Sequence, residues 1–380
     1  MTVAHVAHTT ERSGAELALA RVLASDCREW DAALIVPGAG DLGAFGGLAG
    51  GTTRIVRVGR AQPPGASRAG LLAAAGYAGR ILDQARALRA TAAFRDASVV
   101  HANSTRAAVY AALALTGRRT PLVVHLRDRV DPEAMGRLGY EAFRRVVVPR
   151  ATAFIANSRS TADTAHALLR GDQPVEVVPS PIGMPRAGEI PAPGPGPVRI
   201  GMVARLDPWK GQELLIRAFA DAGLDGAATL RLIGGAPFGH EGYRAGLERL
   251  AADLGLRHVE FAGFVDDVAG EIDRLDVGVQ YSTRAEPLGQ NVLQYLARGK
   301  AVVAAAEGGP TEWITDGGNG LLVPPNDVRA LGLALRRLVD EAPLRRALAE
   351  RALRTPGLPT DCAVARYHAR VFARAASGNH

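Results

Sequence analysis

The chain has 380 residues, 47% hydrophobic but only 5% aromatic, with 44 glycines and a formal net charge of +7. That length accommodates two domains with separate cores, and the composition suits Ala, Val and Leu packed in α/β layers joined by tight turns. No apolar run is long enough to span a bilayer, the start MTVAHVAHTT lacks the regions of a signal peptide, and Cys27 and Cys362 alone do not suggest a disulfide framework or a cysteine metal site, so a reduced, cytoplasmic protein is expected.

The charge is uneven. Residues 1–185 carry 22 arginines against 15 Asp and Glu, whereas the remainder is balanced at 23 each. An anionic partner and a merely solvated arginine-rich surface both fit this excess. Aromatic residues do not interleave with the cations as single-stranded nucleic acid would require, so no nucleic-acid partner is expected. The only lysines are Lys210 and Lys300. In a chain that otherwise uses arginine, Lys210 suggests a site wanting a compact ammonium.

In chain order, TVAHVAH, AALIVPG, ASVVHANS, PLVVHLRD, ATAFIANS and VEVVPSPIG read as strands. GAELALARVLA, RAAVYAALALTG and RSTADTAHALLR read as helices between them, the last capped by Ser158 or Ser160. Residues 70–90 read either as a core-facing helix or as an amphipathic one touching a membrane surface. Residues 186–197, rich in Pro and Gly, read as a linker. Beyond it the alternation restarts with VRIGMVARL, ATLRLIGG, VEFAGFV, DVGVQYS and AVVAAA as strands, and helices end the chain. The reading is an α/β protein with two Rossmann-like doubly wound domains, 1–185 and 198–359, facing a central cleft. Ligands in such sheets bind beyond the carboxyl ends of the strands.

Candidate site residues gather at those ends. In GMVARLDPWKG, Arg205 and Lys210 can converge on one anion at a helix start, which suits a diphosphate. In EPLGQNVLQYLARG, Glu286 sits in a turn and Gln294 in the following helix; a carboxylate can accept sugar hydroxyls, and an amide can both accept and donate. Paired glycines in EGGPTEW leave backbone N–H groups open to an anion or sugar. In the first half, Gly14 lets a ligand approach the backbone closely. His101, Asn103, His125 and Asp128 are placed by the strand-end rule on the ligand side, although a histidine there is often only a structural hydrogen-bonder.

Taken together, these segments resemble the retaining glycosyltransferases of family 4, which have the two-domain GT-B fold. SGAE is similar to the family's N-terminal glycine loop, HLRD to its strand-end histidine motif, and ARLDPWKG to its diphosphate loop. VVPSPIG resembles a PNG turn, with Ser180 and Pro181 departing from it. EPLGQNVLQYLARGKAVVA, GGPTEWI and NGLLVPPND follow in the family's order.

The resemblance implies that Arg205 and Lys210 hold the donor diphosphate, and that Glu286 meets the transferred sugar with help from the backbone of Pro287, Leu288 and Gly289. It implies that His125 lies beside the reacting sugar, that the turn at Phe264 and Val265 meets the base, and that Gly14 and Gln294 border the donor. Glu16, His101, Asn103 and Asp128 would face the acceptor, and the final helix, 360–380, would cross back over the first domain. The family's second glutamate is Gln294 here, which loses charge-assisted strength toward ribose hydroxyls.

The implied reaction moves a sugar from a UDP- or GDP-linked donor to a small-molecule, glycan or lipid-linked acceptor by front-face attack, with no metal or cofactor. A sugar-nucleotide epimerase and a non-catalytic nucleotide-sugar binder of the same fold are the rival readings. Alanine and arginine usage suggests a GC-rich bacterial genome and natural-product or carbohydrate biosynthesis.

Overall fold

The computed structural model describes residues 1–38, 40–60, 71–171, 173–190, 196–236 and 241–378. The chain divides into two compact units, one made of Met1–Gly183 with Pro359–His380, the other of Met184–Leu358. Within the linker expected at 186–197, residues 191–195 lie outside the described residues. Before them, Arg186 donates to the Leu353 and Thr355 carbonyls and the Ala187 N–H to the Ala297 carbonyl, so this stretch is tied to the second unit.

The first unit holds seven parallel strands: β1 (Thr2–Val6), β2 (Asp31–Pro37), β3 (Arg54–Val58), β4 (Val99–Ala102), β5 (Leu122–Leu126), β6 (Ala153–Ala156) and β7 (Val175–Val177). Their spatial order is β3-β2-β1-β4-β5-β6-β7. Strands β1, β4, β5 and β6 are apolar runs because both faces of the sheet are covered. Edge strand β3, RIVRV, was not anticipated: its arginines break the apolar run, and Arg54 and Arg57 are exposed.

The helix Leu71–Ala90 buries Ile81, Gln84, Ala85 and Leu88, and Gln84 donates to the Val58 carbonyl (3.1 Å), so its described face is turned to the core. The helix Arg159–His166 is capped by Ser158, which accepts from the Thr161 N–H.

The last helix, Asp361–Ser377, completes the first unit. Its residues Ala365, His368, Phe372 and Ala375 recur at helical spacing and are buried. The helix packs with Val3, Leu19, Trp30, Val99 and Val123 in one hydrophobic cluster. Its start is fixed by Thr360, which caps the Ala363 N–H, and by a disulfide between Cys27 and Cys362. This corrects the expectation of reduced cysteines. The two are 335 residues apart, and only the return of the last helix brings them together.

The second unit holds six parallel strands: β8 (Val198–Val203), β9 (Ala228–Ile233), β10 (Val259–Gly263), β11 (Val277–Gln280), β12 (Ala301–Ala305) and β13 (Leu321–Val323), ordered β10-β9-β8-β11-β12-β13. The winding reverses between β8 and β11, and the loops leaving the carboxyl ends of these two neighbours diverge there. Tyr295 stitches the place from below: its hydroxyl accepts from the Val203 N–H (2.7 Å). Among the described residues no helix is long and apolar enough to cross a membrane.

Candidate functional site

The loop after β8 carries Arg205 and Lys210, and the segment after β11 carries Ser282 to Gly289. They meet at the switch point of the second sheet. The Thr283 N–H donates to the Trp209 carbonyl (2.8 Å), clipping the two loops together. Gly211 makes the approach feasible: its φ is +78°, and a Cβ there would run into the Tyr281 carbonyl oxygen. The helix Gln212–Asp221 starts immediately after it.

On this frame Lys210 Nζ donates to both carboxylate oxygens of Glu286, each at 2.8 Å, and Ser282 Oγ donates to Oε2 at 2.5 Å. Burial by itself would raise the Glu286 carboxyl, but Lys210, Ser282 and Arg205 outweigh it and hold the group below its ordinary value. Arg205 is exposed and pairs with Asp207 at 3.2 Å.

The Trp209 ring lies among three cations: Lys210 Nζ is 3.9 Å from its centroid, the Arg284 guanidinium carbon 4.5 Å and that of Arg205 6.0 Å. Neither Trp209 nor Arg284 was singled out from sequence. An aromatic beside a lysine in DPWK was the available signal, but the partner Arg284 lies 75 positions on.

Pro287, Leu288 and Gly289 are buried along the same segment, and Gln294 is buried in the helix Gln290–Ala297. The glycine pair after β12 has another role than the one expected. The Gly309 N–H is given to the Glu286 carbonyl (2.8 Å), and a Cβ at Gly308 or Gly309 would meet the backbone of Glu286 or Leu288. These glycines seat the Glu286 segment rather than offering Gly309 to an anion. Phe264, 56% exposed, and Val265 follow β10, with Gly235 packed against Phe264. Lys300 is structural: it is buried, donates to the Asp273 carbonyl (2.9 Å), and burial lowers its pKa to about 8.

In the first unit the residues beyond β1, β4, β5 and β7 form a second polar cluster. Ser13 donates to Glu16, whose Oε1 has no hydrogen-bond partner among the described residues. Burial raises the Glu16 carboxyl, against the pull of Ser13 and Arg127. Asn103 donates to the Ala15 carbonyl (3.2 Å) and accepts from Arg127 (2.8 Å), which also donates to Ser180 (2.9 Å). Lost solvation lowers Arg127 to about 10. Arg127 was missed, although it stands in HLRD one step past the strand. Asp128 is exposed, and Gly14 opens a helix where an added Cβ would meet nothing.

His101 and His125 are not among these groups. Both lie inside β4 and β5, 0% and 1% exposed, with their rings turned under the last helix beside His5, His368 and Phe372. This corrects their placement past the strand ends. Strand periodicity puts them on the face the last helix covers, so His125 meets that helix rather than a ligand.

Nitrogens of His101, His125 and His368 lie within 4.8 Å of one another, close enough to consider a metal. The hydrogen bonds oppose it. Trp30 donates to His5 Nε2 (2.8 Å), so a neutral His5 carries its proton on Nδ1 and gives it to His101 Nδ1 (2.9 Å). His101 then holds its own proton on Nε2, so neither of its ring nitrogens offers a free lone pair to a metal. Arg127 adds repulsion toward any cation there.

Two Rossmann-like units, with cations and a carboxylate gathered at the switch point of the second, define the GT-B class of fold. The model of "Glycosyltransferase Family 4" matches residues 17–183 and that of "Glycosyl transferases group 1" residues 189–355. The chain belongs to glycosyltransferase family 4.

Curated relatives include the lipopolysaccharide core biosynthesis glycosyltransferase LpsE of Rhizobium meliloti, 39% identical over 113 residues, covering 30% of this chain and 33% of the relative. A D-inositol 3-phosphate glycosyltransferase of Stackebrandtia nassauensis is 30% identical over 251 residues, covering 60% of this chain and 55% of the relative. The match thus spans between a third and about half the length of these relatives. HepE of Anabaena, solved with UDP and glucose, superposes with a TM-score of 0.80 at 23% identity, covering 98% of this chain and 99% of HepE. That likeness is one of fold.

Proposed function

We propose that this protein transfers a glycosyl group from a nucleoside-diphosphate sugar to an acceptor nucleophile, with retention and without a metal. The observation that carries the reading is the meeting of Lys210, Arg205 and Glu286 at the β8–β11 switch point. As the glycosidic bond breaks, negative charge grows on the leaving diphosphate. Arg205 and Lys210 are fixed cations for that charge, and groups already in position stabilise it without reorganising. Glu286, kept ionised by Lys210, accepts hydroxyl hydrogen bonds from the sugar.

Attack comes from the face the diphosphate leaves, and a leaving phosphate oxygen takes the acceptor's proton. UDP is the first donor base to try, since HepE was solved with UDP; GDP is the second, from the GDP-mannose-dependent mannosyltransferase of Mycolicibacterium smegmatis that is 34% identical over 157 residues. The acceptor docks on the first unit at the polar cluster of Glu16, Asn103 and Arg127.

The test is donor turnover by Lys210→Ala and Glu286→Gln at unchanged circular dichroism. Each loses about 10²–10³ in rate. If both turn over donor at the parent's rate, the assignment of roles is wrong. If the parent binds nucleotide and turns over no donor with any acceptor, it is a binding protein.

A further inference from the structure

We infer that Arg284 is a third cation of the donor diphosphate site, held in place by Trp209; the inference rests on the nucleotide-sugar reading above. Charge counting separates it from the other two. Arg205 is paired with Asp207, and Lys210 with Glu286, so those four side chains sum to zero. A dianionic diphosphate arriving there would meet no net attraction from them. Arg284 is the group that changes the sign. Apart from its stacking on Trp209 it has no ion pair with any described carboxylate, and it is only half-buried.

The indole explains how the cation stays in place. A guanidinium lies flat on an aromatic face and is more weakly hydrated than an ammonium. Free in water, the Arg284 side chain would sample many rotamers and drift from the two cations that repel it. On the ring it is held 4.5 Å from the centroid of the indole that Lys210 approaches at 3.9 Å. The main chain that carries the ring is itself anchored, because the Trp209 backbone carbonyl accepts from the N–H of Thr283, the residue before Arg284. Trp209 is therefore a positioning residue, and Arg284 the ligand-touching one. With Arg284 counted, the five charges total +1 before the diphosphate binds and −1 after.

The experiment is calorimetric titration of the full chain with UDP, GDP and inorganic pyrophosphate, for the parent and for Arg284→Met, Trp209→Leu and Trp209→Phe. Arg284→Met weakens the bound nucleoside diphosphate and pyrophosphate about 10–100-fold, the loss of one charge-assisted contact. It also flattens the salt dependence of binding. Trp209→Leu loses a smaller factor, and Trp209→Phe, which keeps a ring, restores most of it.

A merely structural Trp209 would leave the salt dependence of binding unchanged in Trp209→Leu. Arg284→Met binding at the parent's affinity overturns the inference while leaving the donor site itself standing. A parent that binds none of the three probes overturns both. Tighter binding of UDP-glucuronate than of UDP-glucose, abolished by Arg284→Met, would assign the guanidinium to a sugar carboxylate and refute the charge count.

Discussion

Acidification is expected to unfold the first unit through its buried imidazoles. His5, His101 and His125 are held well below the ordinary value, and His368 at about 4, in each case first by burial and then by neighbouring positive groups. The unfolded chain takes up these protons near pH 6.5 and the folded one does not. Stability is therefore complete above 6.5 and falls as pH drops from there toward the folded values. Between pH 7.5 and 5.5 each such histidine costs about 1 kcal/mol, so the four together cost several kcal/mol, a large share of the stability of many domains.

His8, lowered to about 4, adds a further share, and the raised Glu16 acts in the opposite sense. The measurement is urea unfolding followed by Trp30 fluorescence, with Trp209 and Trp313 replaced by phenylalanine, at both pH values. His368→Leu removes one titrating ring and should lose about 1 kcal/mol less between them than its parent. Equal losses would mean that the His368 ring is charged or solvated in the folded state, and the reasoning would fail.

Other substitutions test the frame. Gly211→Ala places a Cβ against the Tyr281 carbonyl at positive φ; it should destabilise the second unit by about 1–3 kcal/mol and weaken pyrophosphate binding, by thermal unfolding and calorimetry. Tyr295→Phe strips the Val203 N–H of its acceptor and should cost about 1–3 kcal/mol, read by urea unfolding; a neutral result would show that another group takes that N–H. Cys27→Ser should cost the first unit about 2–4 kcal/mol and the second nothing, measured with and without reductant. If reductant leaves the parent unchanged, the cross-link does not contribute.

Much of the fold was legible because buried parallel strands are short apolar runs set between helices. The chemistry at the second switch point was legible for a related reason: strand-end rules bring the loops after β8 and β11 together, although Lys210 and Glu286 lie 76 residues apart. Edge strand β3 escaped because its arginines imitate a loop. The histidines were misplaced because periodicity says which residues share a face, not which face a returning helix will cover. His101 and His125 alternate correctly, and only the last helix, some 240 residues beyond His125, decides that they are interior. The same return hid the disulfide. The cation-bearing indole escaped because Arg284 looked like any other surface arginine until the loops were joined.

The return of that helix has a consequence for biosynthesis. The first unit is assembled from both ends of the sequence, with the entire second unit translated between them. A nascent chain that has extruded residues 1–183 still lacks the cover for Trp30, Val99 and Val123, and must wait roughly 180 residues for it. By the end of that interval the second unit can already be native while the first still exposes an oily flank to chaperones. Clipping the last twenty residues should therefore cripple the lobe that was synthesised earliest and spare its younger neighbour.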